Sequence, residues 1–110
     1  MFKKPASGVV FALDSVENKF NSLPEGGNIK KGICRAFEDL KENAFCGKNI
    51  PKKQIPKIYI QEHKIDNLWW YPLPDGWRLV YFITTHSKTE LLAVILDFFT
   101  HKEYERKFNY

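Results

Sequence analysis

The sequence predicts an α+β fold in which a helical hairpin packs on a mainly antiparallel four-stranded sheet. Two observations support this prediction. Residues 14–44 repeat apolar side chains at helical spacing on either side of a Pro/Gly break at 24–27. Residues 67–99 instead contain three β-rich runs separated by two short polar turns. Because 110 residues is about the length of one domain, we expect residues 1–110 to form a single domain.

The elements are predicted in the order β-α-α-β-β-β-α. The apolar run at residues 8–13 predicts a buried strand. Asp14, with Glu17 three positions later, forms a variant of the capping box and is expected to begin the first helix. Asn28 is placed to cap the second helix, so that the two helices form a hairpin joined by a short loop.

The segment at residues 46–66 has no helical period and carries the excess charge of the chain. Pro51 and Pro56 are predicted to stop any helix. The segment is expected to be an extended, ordered loop that packs on the core through Ile50, Ile55, Ile58 and Ile60. Residues 47–65 contain five lysines and one glutamate, which accounts for the whole net charge of +4. Local positive charge of this kind attracts polyanions such as nucleic acid or an acidic protein segment.

The last third of the chain predicts a three-stranded meander followed by a helix. The expected strands are residues 67–73, 77–85 and 90–99, with turns at 74–76 and 86–89. Thr100 and Glu103 have the spacing of a capping box, which predicts that a terminal helix begins at Thr100.

Composition excludes several classes of protein. Two cysteines are too few for a disulfide scaffold or a Cys-rich zinc site, and the histidines do not cluster with carboxylates at metal-ligand spacing. Glycine-rich phosphate loops are absent from the sequence, so no cofactor and no metal are expected. The first residues lack a signal-peptide pattern, and the longest apolar run is about a third of a membrane span. We therefore expect a cytoplasmic protein.

Three side chains are the first candidates for chemistry. Arg78 lies in an otherwise apolar strand, where its guanidinium would be either a rigid anchor for phosphate or an ion-pair partner of Asp75 or Asp97. His101 stands in the first turn of the terminal helix and shares one helical face with Tyr104. A titratable histidine beside a tyrosine is either a proton-transfer pair or part of a packed helix with a polar tip.

The other two histidines differ in their surroundings. His63 lies between Glu62 and Lys64 in the basic segment and is kept as a candidate for contact with a polyanion. His86 lies in a polar turn and is expected to be an ordinary surface residue. Cys34 lies within an amphipathic helix with no evident base beside it.

Two motifs resemble the RelE/ParE toxin superfamily. Residues 76–81, Gly-Trp-Arg-Leu-Val-Tyr, resemble that family's Gly-Tyr-Arg-Leu-Val-Tyr strand motif, and residues 100–104 resemble its closing motif of a histidine or basic residue followed by an aromatic. The similarity runs over about residues 9–108. It implies an mRNA interferase of a type II toxin–antitoxin system, a metal-independent endoribonuclease that cleaves mRNA, commonly on the ribosome. A cognate antitoxin would hold it inactive in a heterodimer or heterotetramer.

The resemblance also implies roles for particular residues. Arg78 matches the family's phosphate-binding arginine, His101 its terminal proton-transfer histidine, and Tyr104 an aromatic placed at the cleaved nucleotide. The strand before the turn reads Trp-Trp-Tyr-Pro and lacks the two lysines of several RelE members, which favours a histidine-dependent mechanism. The residues expected to contact RNA are Lys52, Lys53, Lys57, His63 and Lys102, and Trp69 or Trp70 could stack on an unpaired base.

Two other functions stay open on the same fold. One is a ParE-like toxin that inhibits DNA gyrase, and the other is a non-catalytic module that binds RNA or the ribosome. The terminal histidine and tyrosine favour the nuclease over the ParE-like toxin, which does not require such a pair.

Overall fold

The computed structural model describes residues 4–108, which form an α+β structure with a five-stranded mixed sheet. The strands are β1 (Ala6–Phe11), β2 (Lys48–Asn49), β3 (Trp69–Pro72), β4 (Arg78–Thr85) and β5 (Leu91–Phe99). They lie in the order β1-β5-β4-β3-β2, and β1 is parallel to β5 while the other pairs are antiparallel. The helices are α1 (Asp14–Asn21), α2 (Asn28–Glu42), α3 (Lys57–His63) and α4 (His101–Phe108). None of the helices in residues 4–108 is long and apolar enough to cross a membrane.

Helices α1 and α2 pack on one face of the sheet, as their apolar spacing predicted. Ile33, Ala36 and Leu40 recur at helical spacing along α2 and are completely buried. They share a core with Leu79 and Tyr81, alternate residues of β4 that point to the same face. The meander of β3, β4 and β5 is also confirmed, with antiparallel pairing throughout.

Both predicted caps of the hairpin helices are wrong. Asp14 is the first residue of α1 and follows Leu13, and Asn28 is the first residue of α2 and follows Gly27; neither helix has a side-chain cap. A residue inside the first turn does not precede the free N–H groups, so its side chain is not placed to accept from them as a true cap does. The Asp14 carboxylate still lies at the positive end of the α1 dipole.

The basic segment is more ordered than a loop, which corrects the prediction for residues 46–66. It contains β2, a 3₁₀ turn at Lys52–Gln54 and helix α3, and the sheet therefore has five strands within residues 4–108. Pro51 and Pro56 stand immediately before the 3₁₀ turn and α3, where a missing N–H and a fixed φ suit the start of a helix. The prolines begin these elements, and do not prevent them.

Helices α3 and α4 cover the second face of the sheet. Ile50, Ile55 and Tyr59 from the basic segment share a second core with Tyr104 and Phe108 of α4. The predicted core contacts are therefore confirmed for Ile50 and Ile55 and wrong for Ile58 and Ile60, which are exposed on α3. The sheet thus separates two cores, with the hairpin on one side and the basic segment and α4 on the other.

Gly47 fixes the position of β2. Its backbone N–H donates to the Tyr81 hydroxyl over 3.0 Å, and that hydroxyl donates to the Ala44 carbonyl over 3.0 Å. Burial raises the pKa of Tyr81, so the hydroxyl keeps its proton for this bond. A Cβ atom on Gly47 would lie 2.6 Å from the Tyr81 hydroxyl and 2.7 Å from the Trp70 carbonyl oxygen.

Replacing Gly47 with alanine is therefore expected to lower the free energy of unfolding by about 2–4 kcal/mol, through overpacking and the strained hydrogen bond. Denaturant titration followed by circular dichroism measures this change. Asn49→Ala is the matched control, because Asn49 lies on the same strand but is exposed; it should change stability by less than about 0.5 kcal/mol. Equal stability of the two variants would show that β2 does not need the close approach at Gly47.

Candidate functional site

The side chain of Arg78 contacts two aromatic rings on the face of the sheet that α4 covers. Its Cζ atom lies 3.9 Å from the centroid of the Trp70 ring and 4.4 Å from that of Tyr104. Trp70 comes from the neighbouring strand β3 and Tyr104 from α4. Both distances are within the range at which a cation is attracted to the electron-rich face of a ring.

Arg78 makes no ion pair and no hydrogen bond with any described residue. The ion-pair alternative is therefore not found: Asp97 accepts from Lys19 over 3.2 Å, and Asp75 lies in the turn before β4. Both rings lie within cation–π distance of the guanidinium, and its N–H groups have no acceptor among the described residues. A half-buried cation with free donors in one plane is suited to bind a phosphate through two parallel hydrogen bonds.

Tyr104 is completely buried and supports Arg78 from the side of α4. Its ring stacks on Phe108 with a centroid distance of 4.2 Å and an interplanar angle of 12°. It also contacts Phe99, the β5 residue directly opposite Arg78 in the β4–β5 register. With Arg78 over its ring and Phe108 stacked on it, Tyr104 offers no open face for a nucleotide base in this structure. The contacts instead make Tyr104 a positioning residue for Arg78.

His101 is presented at the start of α4 by the predicted capping box, which is confirmed. The Thr100 N–H donates to the Glu103 carboxylate over 2.9 Å, and the Glu103 N–H donates to the Thr100 hydroxyl over 3.1 Å. The bond from the Thr100 backbone lowers the pKa of the Glu103 carboxyl. The helix therefore begins at His101, directly after the buried end of β5.

The imidazole of His101 is half-exposed and pairs with Glu105 one turn later. Its Nε2 atom lies 2.5 Å from the Glu105 Oε1 atom, and 53% of the His101 side chain is accessible to solvent. A carboxylate on Nε2 fixes the orientation of the ring and leaves Nδ1 to exchange a proton with a ligand. Histidine oriented by a carboxylate is a common arrangement for proton transfer.

His101 and Arg78 lie at the same end of β4 and β5, on the same side of the sheet. A Cβ atom on Gly76, two residues before Arg78, would lie 3.6 Å from the His101 Cβ atom. Phe99, two residues before His101, is the register partner of Arg78. The chain segments that carry these two residues therefore lie close together at one strand end.

The predicted RNA-contacting lysines are exposed but are spread over several elements. Lys52 and Lys53 lie in the 3₁₀ turn, Lys57 begins α3, and Lys102 is the second residue of α4. None of these four side chains forms an ion pair with a described residue. They are available to neutralise a polyanion that approaches the α3–α4 face.

His63 is half-buried at the end of α3, away from the Arg78 contacts. Its ring meets Tyr59 edge-on at a centroid distance of 6.3 Å, and Tyr59 in turn packs edge-on against Phe108. Among the described residues, no contact joins His63 to Arg78 or His101. The structure therefore brings Arg78 and Tyr104 into contact, with His101 one turn before Tyr104 on α4, and leaves His63 at the edge of the same core.

Sequence reasoning did not find the part that Lys48 and Trp70 play here. Lys48 lies opposite Trp70 in the β2–β3 register, and its Nζ atom is 5.0 Å from the centroid of the Trp70 ring. The only sequence features that point to this contact are a lysine at the start of the basic segment and two adjacent tryptophans in β3. Only the strand register, which brings β2 beside β3, shows that the two belong together.

In residues 4–108, no three His, Cys, Asp or Glu side chains converge in a way that could hold a metal ion. Comparison of the chain with family models, with curated proteins and with solved structures gave no match. Function is therefore inferred from the side chains themselves.

Proposed function

We propose that this protein is an endoribonuclease that cleaves RNA without a metal ion, with Arg78 as the phosphate ligand and His101 as the proton-transfer residue. The observation that carries the proposal is the Arg78 guanidinium, which contacts two aromatic rings and has no acidic partner among the described residues. Such a rigid, unneutralised cation is well suited to stabilise charge on a phosphorane. The His101–Glu105 pair at the same strand end supplies a group that can carry a proton.

The proposed reaction is transesterification within the RNA strand. The ribose 2′-oxygen forms a bond to the adjacent phosphorus as its proton passes to a base. The bond from phosphorus to the 5′-oxygen breaks, and that oxygen takes a proton from an acid. The products are a 2′,3′-cyclic phosphate and a 5′-hydroxyl. His101 carries one of these two protons, solvent water exchanges the other, and Arg78 neutralises the charge that builds up on the phosphate oxygens.

The lysine-rich surroundings support a polyanionic substrate. Lys52, Lys53, Lys57 and Lys102 would draw in the RNA backbone without taking part in the chemistry. Following the resemblance to RelE/ParE toxins, we include mRNA on the ribosome as the substrate and an antitoxin as the protein partner in this proposal.

The test is to add the purified protein to a translating extract and to map RNA ends. We expect new mRNA ends that carry 2′,3′-cyclic phosphate and 5′-hydroxyl groups and that are absent from the extract alone. Intact mRNA, or ends with 3′-hydroxyl and 5′-phosphate groups, would contradict the proposal. A gyrase supercoiling assay run in parallel identifies the ParE-like alternative if supercoiling is inhibited while RNA stays intact.

A second candidate is an RNA-binding module without catalysis. The burial of Tyr104 favours it, because one predicted nucleotide contact is then occupied by protein. RNA binding that depends on salt, together with intact RNA in the extract, would decide for this candidate.

A further inference from the structure

The Trp70 ring makes cation–π contacts with side chains from both strands that flank β3. Arg78 approaches it from β4 with Cζ at 3.9 Å from the ring centroid, and Lys48 approaches it from β2 with Nζ at 5.0 Å. Tryptophan is the side chain that holds a cation most strongly through its ring. One ring therefore contacts two positive groups on one face of the sheet.

The position of Lys48 is fixed by backbone structure on both sides. Gly47 donates to the Tyr81 hydroxyl, and the Ile50 N–H donates to the Leu68 carbonyl over 2.9 Å. Between these bonds, Lys48 and Asn49 pair with Trp70 and Trp69 in the sheet. The lysine thus projects from a strand whose place is set, and the ring limits the freedom of its side chain.

Neither cation is neutralised by a described residue. Lys48 and Arg78 form no ion pair with any described residue, and Lys48 is exposed while Arg78 is half-buried. Two like charges on one ring repel each other, and an anionic ligand bound to both relieves that repulsion. The ligand that suits the pair is a chain with successive negative charges.

We propose that Lys48 is a second phosphate ligand, and that Trp70 spaces Lys48 and Arg78 so that they bind two phosphates of one single strand of RNA. This inference rests on the proposed function only in that RNA must bind to this face. It also assigns Trp70 a role as the holder of two cations and not as a platform for a base.

The test measures binding of a short 2′-O-methyl oligoribonucleotide, which cannot be cleaved, over a range of salt concentrations. Lys48→Met removes the charge but keeps an apolar stem over the ring. We expect the slope of log affinity against log salt to become shallower by about 0.7, the value for one phosphate contact on a single strand. The matched control is Lys88→Met, which makes the same charge change at an exposed position in the β4–β5 turn and should leave the slope unchanged.

Equal slopes for wild type and Lys48→Met, or equal losses for Lys48→Met and Lys88→Met, would overturn the inference. Thermal unfolding of both variants shows whether they keep the wild-type fold, as exposed positions should. The outcome is separable from the proposed function. If the slope is shallower for Lys48→Met but wild type does not cleave RNA, the two-phosphate site stands and the nuclease proposal fails. If wild type cleaves RNA but the Lys48→Met slope is unchanged, the nuclease proposal stands and the two-phosphate site fails.

Discussion

Replacing His101 with alanine is expected to lower the rate of RNA cleavage by about 10²–10⁴-fold, the usual contribution of a positioned acid or base. The imidazole is half-exposed, is oriented by Glu105 at 2.5 Å, and stands at the strand end that also presents Arg78. Removing it deletes proton transfer but leaves the phosphate ligand in place. Cleavage rates in the translating extract, at equal protein concentration, measure the effect.

His86→Ala is the matched control for this variant. His86 is an exposed histidine in the β4–β5 turn, so the His86→Ala variant should cleave RNA at the wild-type rate. Binding of the non-cleavable oligonucleotide should be nearly unchanged in both variants. If His101→Ala cleaves as fast as wild type, His101 is not the proton-transfer residue, whatever the activity of the protein.

Replacing Arg78 with methionine is expected to lower cleavage by about 10²–10³-fold, because the guanidinium supplies the charge that stabilises the phosphorane. Methionine keeps an unbranched apolar stem between Trp70 and Tyr104, so the packing on both rings is largely preserved. Unlike the change at His101, this change should also weaken binding of the non-cleavable oligonucleotide. Cleavage rate and binding affinity are therefore measured together.

Arg78→Lys separates charge from geometry at the same position. Lysine restores one positive charge, but it lacks the planar fork that packs against the rings and can meet a phosphate through two bonds. We expect binding close to that of wild type and a cleavage rate between those of wild type and Arg78→Met. A lysine variant with full activity would show that charge alone is enough and that the aromatic clamp has no catalytic consequence.

Local patterns in the sequence were enough to predict the elements that depend on neighbouring residues. The meander follows from β-rich runs and from the turn residues at 74–76, and the start of α4 follows from the spacing of Thr100 and Glu103. The first helices follow from their apolar spacing, although their first residues are not caps. Proline both ends helices and begins them, and spacing alone does not separate the two, so the predicted stop at Pro56 is instead the start of α3.

For the candidate site, the sequence singled out the residues but not their arrangement. Arg78 and His101 stand out by chemical type, and the fold places them at one strand end. The resemblance implies that Tyr104 lies at the cleaved nucleotide, and its helical face suggests a proton-transfer pair with His101, yet its ring packs in the core. A helical face near the edge of a core contains both exposed and buried positions, and the sequence period does not distinguish them.

The sequence by itself determined an α+β chain with a helical hairpin, a meander, a basic segment and two reactive side chains. Only the tertiary structure decided that the basic segment folds into β2 and α3, and that Lys48, Trp70, Arg78 and Tyr104 form one row of cations and rings. The physical reason is that these contacts depend on strand register and on the docking of helices far apart in the chain. Propensity and spacing act over a few residues, whereas register and docking are set by burial of the whole second core.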